Sequence, residues 1–139
     1  MELTTAQKAM IAMLKLQERA LERGATVSLP ITDSCRNDAI IEEQGRLYRA
    51  QIKYGDRKGA SASGAIGLEL TSYHRSGKLS YAGYTEKEID ALLVYIPRID
   101  KVLWFGPEVF AGRSQIQIRY EPTKNGQTKG CLFAADYVW

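Results

Sequence analysis

The nine residues from Arg46 to Tyr54 alternate so regularly that they constrain the chain more than any other stretch. Tyr48, Ala50, Ile52 and Tyr54 fall on one face of an extended strand, and Arg49, Gln51 and Lys53 on the other. The Glu43-Gln44-Gly45 turn just before supplies a partner strand, Asp38 to Glu42, so a hairpin is predicted with one polar side. Upstream, Thr4 or Thr5 can cap a helix that runs to about Arg23 and ends at Gly24. Its three- and four-residue spacing puts Met10, Met13, Leu14, Gln17, Ala20 and Leu21 on the apolar face. Lys8, Lys15, Glu18, Arg19, Glu22 and Arg23 are left as a solvated outer face. A short strand from Ala25 to Leu29, closed by Pro30, links helix to hairpin.

Past Tyr54 the Gly- and Ser-rich stretch from Gly55 to Gly64 breaks the pattern. A strand from Ala65 to Tyr73 follows, ending at the turn-like Arg75-Ser76-Gly77-Lys78. Thr85 and Glu88 form a capping-box signature that predicts a brief helical turn before the apolar strand Ala91 to Ile96, which Pro97 stops. Then come a strand from Lys101 to Phe105, a one-turn helix from Pro107 to Phe110, an alternating strand from Ser114 to Tyr120, and the apolar segment Cys131 to Trp139. This order of elements predicts an α+β (α/β) fold, and 139 residues suffice for one domain spanning 1–139.

Composition removes several functional classes. No apolar run approaches the ~20 residues that cross a bilayer, and no signal-peptide pattern opens the chain, so a cytoplasmic protein is expected. With Cys35, Cys131 and His74 as the only cysteines and histidine, a four-ligand zinc site and a Cys-His or Ser-His pair are excluded. Any metal must therefore be hard. The net charge of +3 favours nucleic acid only mildly. Its distribution says more: between Tyr54 and Lys78, Arg57, Lys58, His74, Arg75 and Lys78 stand against only Asp56 and Glu69.

Hairpin pairing can bring the Asp38 carboxylate to the same sheet edge as Gln51 and Lys53. An aspartate is a hard ligand for Mg²⁺, a glutamine carbonyl can complete the coordination sphere, and a lysine can orient water and offset charge on phosphorus. The spacing is equally that of a surface hairpin with scattered polar residues.

Three stretches bear on that choice: Val27-Ser28-Leu29-Pro30, Arg36-Asn37-Asp38-Ala39-Ile40-Ile41 and Tyr48-Arg49-Ala50-Gln51-Ile52-Lys53. With the later Glu88 to Tyr95 and Lys101 to Phe105, they resemble the PD-(D/E)XK homing endonucleases encoded in group I introns, in their Gln-X-Lys variant. The resemblance spans nearly the whole chain. It implies a restriction-endonuclease-like core, a mixed central sheet flanked by helices, and Mg²⁺-dependent cutting of double-stranded DNA, with Mn²⁺ able to substitute. Asp38, Gln51 and the Ile52 backbone carbonyl would hold the metal, and Lys53 would complete the catalytic set. One departure matters: where the family carries a first-helix glutamate, this chain has Met13, whose thioether is too soft for Mg²⁺. Impaired cleavage follows as the expectation, leaving open an attenuated endonuclease, a binding module that no longer cuts, and a Holliday-junction-resolvase-like enzyme.

DNA contact is expected from the 55–84 region, through Arg57, Lys58, Ser61, Ser63, Tyr73, Arg75 and Lys78, if Ala65 to Tyr73 pairs with Leu79 to Tyr84 as a major-groove ribbon. Cutting both strands needs two active sites, so a homodimer or homotetramer is expected. Cys131 to Trp139 could be its interface or could be core.

Overall fold

The computed structural model describes residues 1–32, 34–59, 63–73, 79–81 and 83–139, with 72–73 and 79–81 described by backbone alone. Helix α1 (Thr5–Glu22) opens on a capping box: the Thr4 side chain accepts from the Gln7 N–H, and the Gln7 side chain accepts from the Thr4 N–H. Strand β1 (Thr26–Ser28) leads to β2 (Ala39–Glu43) and β3 (Arg46–Tyr54), joined through Gln44 and Gly45. Both turn residues have positive φ, 52° and 77°, the signature of a two-residue type I′ turn, whose twist matches the strands it connects.

β4 (Ala65–Glu69), β5 (Ser72–Tyr73) and β6 (Leu79–Tyr81) come next, followed by β7 (Ala91–Ile96) and β8 (Lys101–Phe105). The chain closes with α2 (Pro107–Phe110), β9 (Gln115–Arg119), β10 (Leu132–Phe133) and a 3₁₀ turn at Ala134–Asp136. The main sheet runs β1-β2-β3-β7-β8, mixed because β3 and β7 are parallel and its other pairings antiparallel. A second sheet, β10-β9-β4, covers one face; α1 covers the other. The α+β class and the predicted bounds of β3, β7, β8 and α2 agree with the structure.

β7 lies between two cores. Leu92, Val94 and Ile96 pack with Leu103, Phe105, Phe110, Ile116 and Ile118 on the second-sheet side. Ala91, Leu93 and Tyr95 pack with Ala12, Leu16, Ala20, Ala50 and Ile52 on the α1 side. Period-two alternation in a strand covered on both faces yields this division.

Two expectations are corrected. First, α1 faces the body with Ala12, Leu16 and Ala20, while Met10, Leu14 and Leu21 are 59%, 55% and 79% exposed. Small alanines let the helix approach the sheet, and the expected outer charges turn back onto the chain. Lys8 pairs with Asp56, Lys15 with Asp100 and Arg23 with Glu43, and Arg19 donates to the Trp139 carbonyl. Second, β4 pairs antiparallel with β9, not with 79–84; among the described residues, Ser72–Tyr73 is what meets Leu79–Tyr81. The alternation of Ile66 and Leu68 matches Ile118 and Ile116 across that long-range pairing. Thr85 to Glu88 forms the expected brief helical turn: the Glu88 and Ile89 amides donate to the Thr85 carbonyl, and the Glu88 carboxylate accepts from the Thr85 N–H. Of the two alternatives for the C-terminal segment, packing into its own chain is what the structure has: Trp139 is buried against Trp104, and the Tyr137 ring lies against Phe105. Among the described residues no helix is long and apolar enough to cross a membrane, and Cys35 and Cys131 are free thiols.

Candidate active site

Register decides where the polar side of β3 points. Ala39 pairs with Ala50, and the Asp38 N–H donates to the Ala50 carbonyl at 2.8 Å, so Asp38 stands just where β2 ends. The next amide of β3, that of Ile52, has no strand partner on this edge and donates instead to Asp38 Oδ2 at 3.1 Å. The carboxylate thus completes the ladder and is fixed in position. Because a strand residue's carbonyl leaves on the same edge as its amide, the Ile52 carbonyl faces the Asp38 side.

Asp38, Gln51, Ile52 and Lys53 line one open cavity of about 540 Å³. Its walls come from α1 (Thr5, Lys8, Ala9), from the segment after β3 (Asp56, Arg57) and from β4 (Gly67, Leu68, Glu69). Its electrostatics are those of a partly dry site. Burial raises the Asp38 carboxyl above its ordinary range, against the Ile52 N–H and Lys53, which pull it down. Burial lowers the Lys53 ammonium; Asp38 opposes the fall and Arg36 adds to it.

Three further residues converge here that sequence reasoning missed as site residues. Tyr84, only 7% exposed, carries the Arg36 guanidinium 4.4 Å from its ring centroid and Lys53 Nζ 5.6 Å from it. Arg36 is bound to Glu88 at 2.9 Å, and Glu88 accepts from the N–H and hydroxyl of Thr85. Gly83 makes this possible, since a Cβ there would lie 2.2 Å from the Arg113 carbonyl oxygen. Arg36 stands two residues before Asp38, and Glu88 closes the capping-box signature; those were the signals in the sequence. Their meeting across some fifty residues was not legible.

The other predicted positions distribute unevenly. Met13 lines a neighbouring hollow with Asp38, Asn37 and the 29–32 and Cys35 backbone turn, while Ala9, one turn earlier, lines the main cavity. Arg57 is on the cavity wall, ion-paired to Glu69 at 3.4 Å. Lys58 bridges to Ile66, and the Ser63 carbonyl accepts from Arg119. Ser61, His74, Arg75 and Lys78 lie outside the described residues, as does the side chain of Tyr73.

The fit to a divalent cation rests on the donor set. Asp38, Gln51 and the Ile52 carbonyl are all oxygen donors, but only one is anionic. Among the described residues no three His, Cys, Asp or Glu side chains gather. Mg²⁺ is commonly held by one or two carboxylates together with substrate phosphates, so the set suits a cation that arrives with DNA.

A mixed sheet with an α1-covered face, carrying an aspartate and an X-Lys pair beside an open cleft, defines the restriction-endonuclease-like class of nuclease fold. The PD-(D/E)XK endonuclease family model matches residues 3–139, and the chain belongs to that family. PD-(D/E)XK nucleases generally use divalent metal ions. Among solved structures, a bacterial homing endonuclease, I-Ssp6803I, superposes with a TM-score of 0.76 at 20% identity, over 98% of this chain and 89% of that one. At that identity the likeness establishes the fold. The crystal structure of MepB matches at a TM-score of 0.41 and 9% identity over 84% of each chain, too slight a likeness to bear on function. No curated protein sequence matches.

Proposed function

We propose that this protein is a sequence-specific endonuclease for double-stranded DNA, of the group I intron homing type and its Gln-X-Lys branch, using Mg²⁺ with cleavage weakened by Met13. The observation that carries the reading is the convergence of Asp38, Gln51 and Lys53 on one cavity, with Asp38 held by the Ile52 amide. One domain over 1–139 would hold both chemistry and recognition, the latter from 55–84, working as a homodimer or homotetramer. Asp38, the Gln51 side-chain oxygen and the Ile52 carbonyl would hold the cation. When bound, that ion would neutralise phosphate charge and make water easier to deprotonate. Lys53 Nζ is positioned to orient the attacking water and to offset charge building on the phosphoryl oxygens. Asp38 keeps its orientation through the strand amide and needs no rearrangement for the reaction.

A specific observation favours a second reading, a module that grips DNA without cutting it. The other carboxylates on the cavity wall are engaged, Asp56 with Lys8 at 2.6 Å and Glu69 with Arg57, and Met13 supplies none. Incubating supercoiled plasmid carrying a cognate site with Mg²⁺ or Mn²⁺ separates the two. The endonuclease reading expects slow linearisation, abolished in Asp38→Asn and accelerated in Met13→Glu. If Met13→Glu stays folded and DNA-bound and still fails to cut, the binding-module reading replaces it; a gain in Ala9→Glu alone would move the missing ligand one helical turn.

A further inference from the structure

α1 is amphipathic the wrong way round for a monomer. Its lysines Lys8 and Lys15 are tied to Asp56 and Asp100 on the same molecule, its C-cap Arg23 to Glu43, and Ala12, Leu16 and Ala20 fill the core. Met10, Leu14 and Leu21, large and apolar, are left in solvent on a stripe about 140° around the helix from that core line. Leu3, just before the N-cap and 38% exposed, continues the spacing. Read with Gln7 and Gln17, the stripe advances by alternating steps of four and three residues, the spacing of a helix–helix seam. Met13 connects it to Leu29 and Ile31, 56% and 102% exposed, across the hollow they share.

We propose that this stripe is where a second copy of the chain docks, its α1 antiparallel to the first about a two-fold axis. The inference deepens the oligomer named above and rests on that reading for its purpose, which is to pair two active sites. The pattern itself selects the occupant. It reads the same in both directions, so an antiparallel copy sets Leu3 against Leu21, Gln7 against Gln17 and Met10 against Leu14. Every apolar residue then meets an apolar one, and each amide meets an amide, as an isologous contact requires. On the flanks, Ile11 and Met13 each face their own copies and Thr4 faces Glu18, so no like charges are opposed. Specific interfaces bury roughly 1,000 Å² or more, and a seam built on one helix with Leu29 and Ile31 beside it is small by that standard. The dimer is therefore concentration-dependent. Thr5, Lys8 and Ala9 of the same helix line the catalytic cavity, so the seam also fixes how far apart two cavities stand.

Sedimentation equilibrium on the full chain tests this, with duplex binding measured on the same samples. The wild type is expected to dimerise, and Met10→Glu or Leu14→Glu to weaken the dimer roughly tenfold or more while leaving unchanged the melting temperature measured at dilutions where every chain is monomeric. With Cys35 and Cys131 replaced by serine, a Met10→Cys/Leu14→Cys chain should oxidise to covalent dimers far faster than either single variant. A wild type monomeric at all concentrations overturns the seam, as does an oligomer that neither glutamate disturbs. Covalent dimers from Leu14→Cys alone overturn the antiparallel register. A monomer that binds and cuts DNA refutes the seam and leaves the nuclease reading standing; a dimer that binds no DNA does the reverse.

Discussion

β3 and β7 are parallel neighbours, with Gln51 beside Leu92 and Lys53 beside Val94, yet they are built on opposite principles. Every side chain of β7 is buried, three into each core. β3 fills only the α1 core, through Ala50 and Ile52, and its other side turns Gln51 and Lys53 into a cavity where β7 has packed hydrocarbon. The site is thus a place where one of two cores is left unfilled. Stability is concentrated one strand away from the candidate site, and the polar groups at the edge are held in an environment that disfavours their charges.

The largest expected effect lies on the packed side. Phe105→Ala empties a fully buried ring position facing Leu92 and should cost about 3–5 kcal/mol of unfolding free energy in urea titrations. The DNA affinity of the folded fraction should be unchanged, and a loss under 1 kcal/mol would mean that the β7–β8 side is not the stabilising half. On the open side the balance reverses. Lys53→Met should lower cleavage roughly 10²- to 10⁴-fold, measured as single-turnover plasmid linearisation, with little change in duplex affinity. It should not lower stability, because burial already disfavours the ammonium. Severe unfolding in that variant would erase the contrast between the strands.

The two strands also differ in how far the sequence foretold them. Ala91 to Ile96 is an unbroken apolar run ended by proline, and Arg46 to Tyr54 an alternating one after a tight turn, so both were readable to the residue. The hairpin brought Asp38 to the same sheet edge as Gln51 and Lys53, so half of the site was local information; the exact register, Ala39 opposite Ala50, came from the two-residue Gln44-Gly45 turn in the structure. The rest was not local. β4 finds β9 about fifty residues away, and Arg36, Tyr84 and Glu88 reach Lys53 from two segments that no periodicity links. α1 misled for a different reason: it has two apolar stripes, and side-chain size favours the one with methionine and leucines. Close approach of helix to sheet favours the alanine-rich one, and that term won.

The smallest effect is the most discriminating about the edge itself. Asp38→Asn can still accept the Ile52 N–H while removing a charge that burial disfavours. Since burial outweighs the amide and Lys53 in setting the Asp38 pKa, the folded state binds this proton more tightly than the unfolded chain does. The wild type therefore keeps this contribution in full below the ordinary carboxylate pKa and loses it as pH rises through the raised folded value. At neutral pH the asparagine variant should melt a few degrees higher, and the advantage should shrink as the solution is acidified toward the ordinary carboxylate range. Lys53 works against it: its lowered pKa contributes stability only at pH above its ordinary value, and the loss of Asp38 lowers it further. Melting curves across that range decide between the two terms. A lower melting temperature at neutral pH, or an advantage that grows on acidification, would establish that attraction to Lys53 outweighs the cost of drying the carboxylate. The edge of β3 would then be held together by the same groups that are proposed to carry its chemistry.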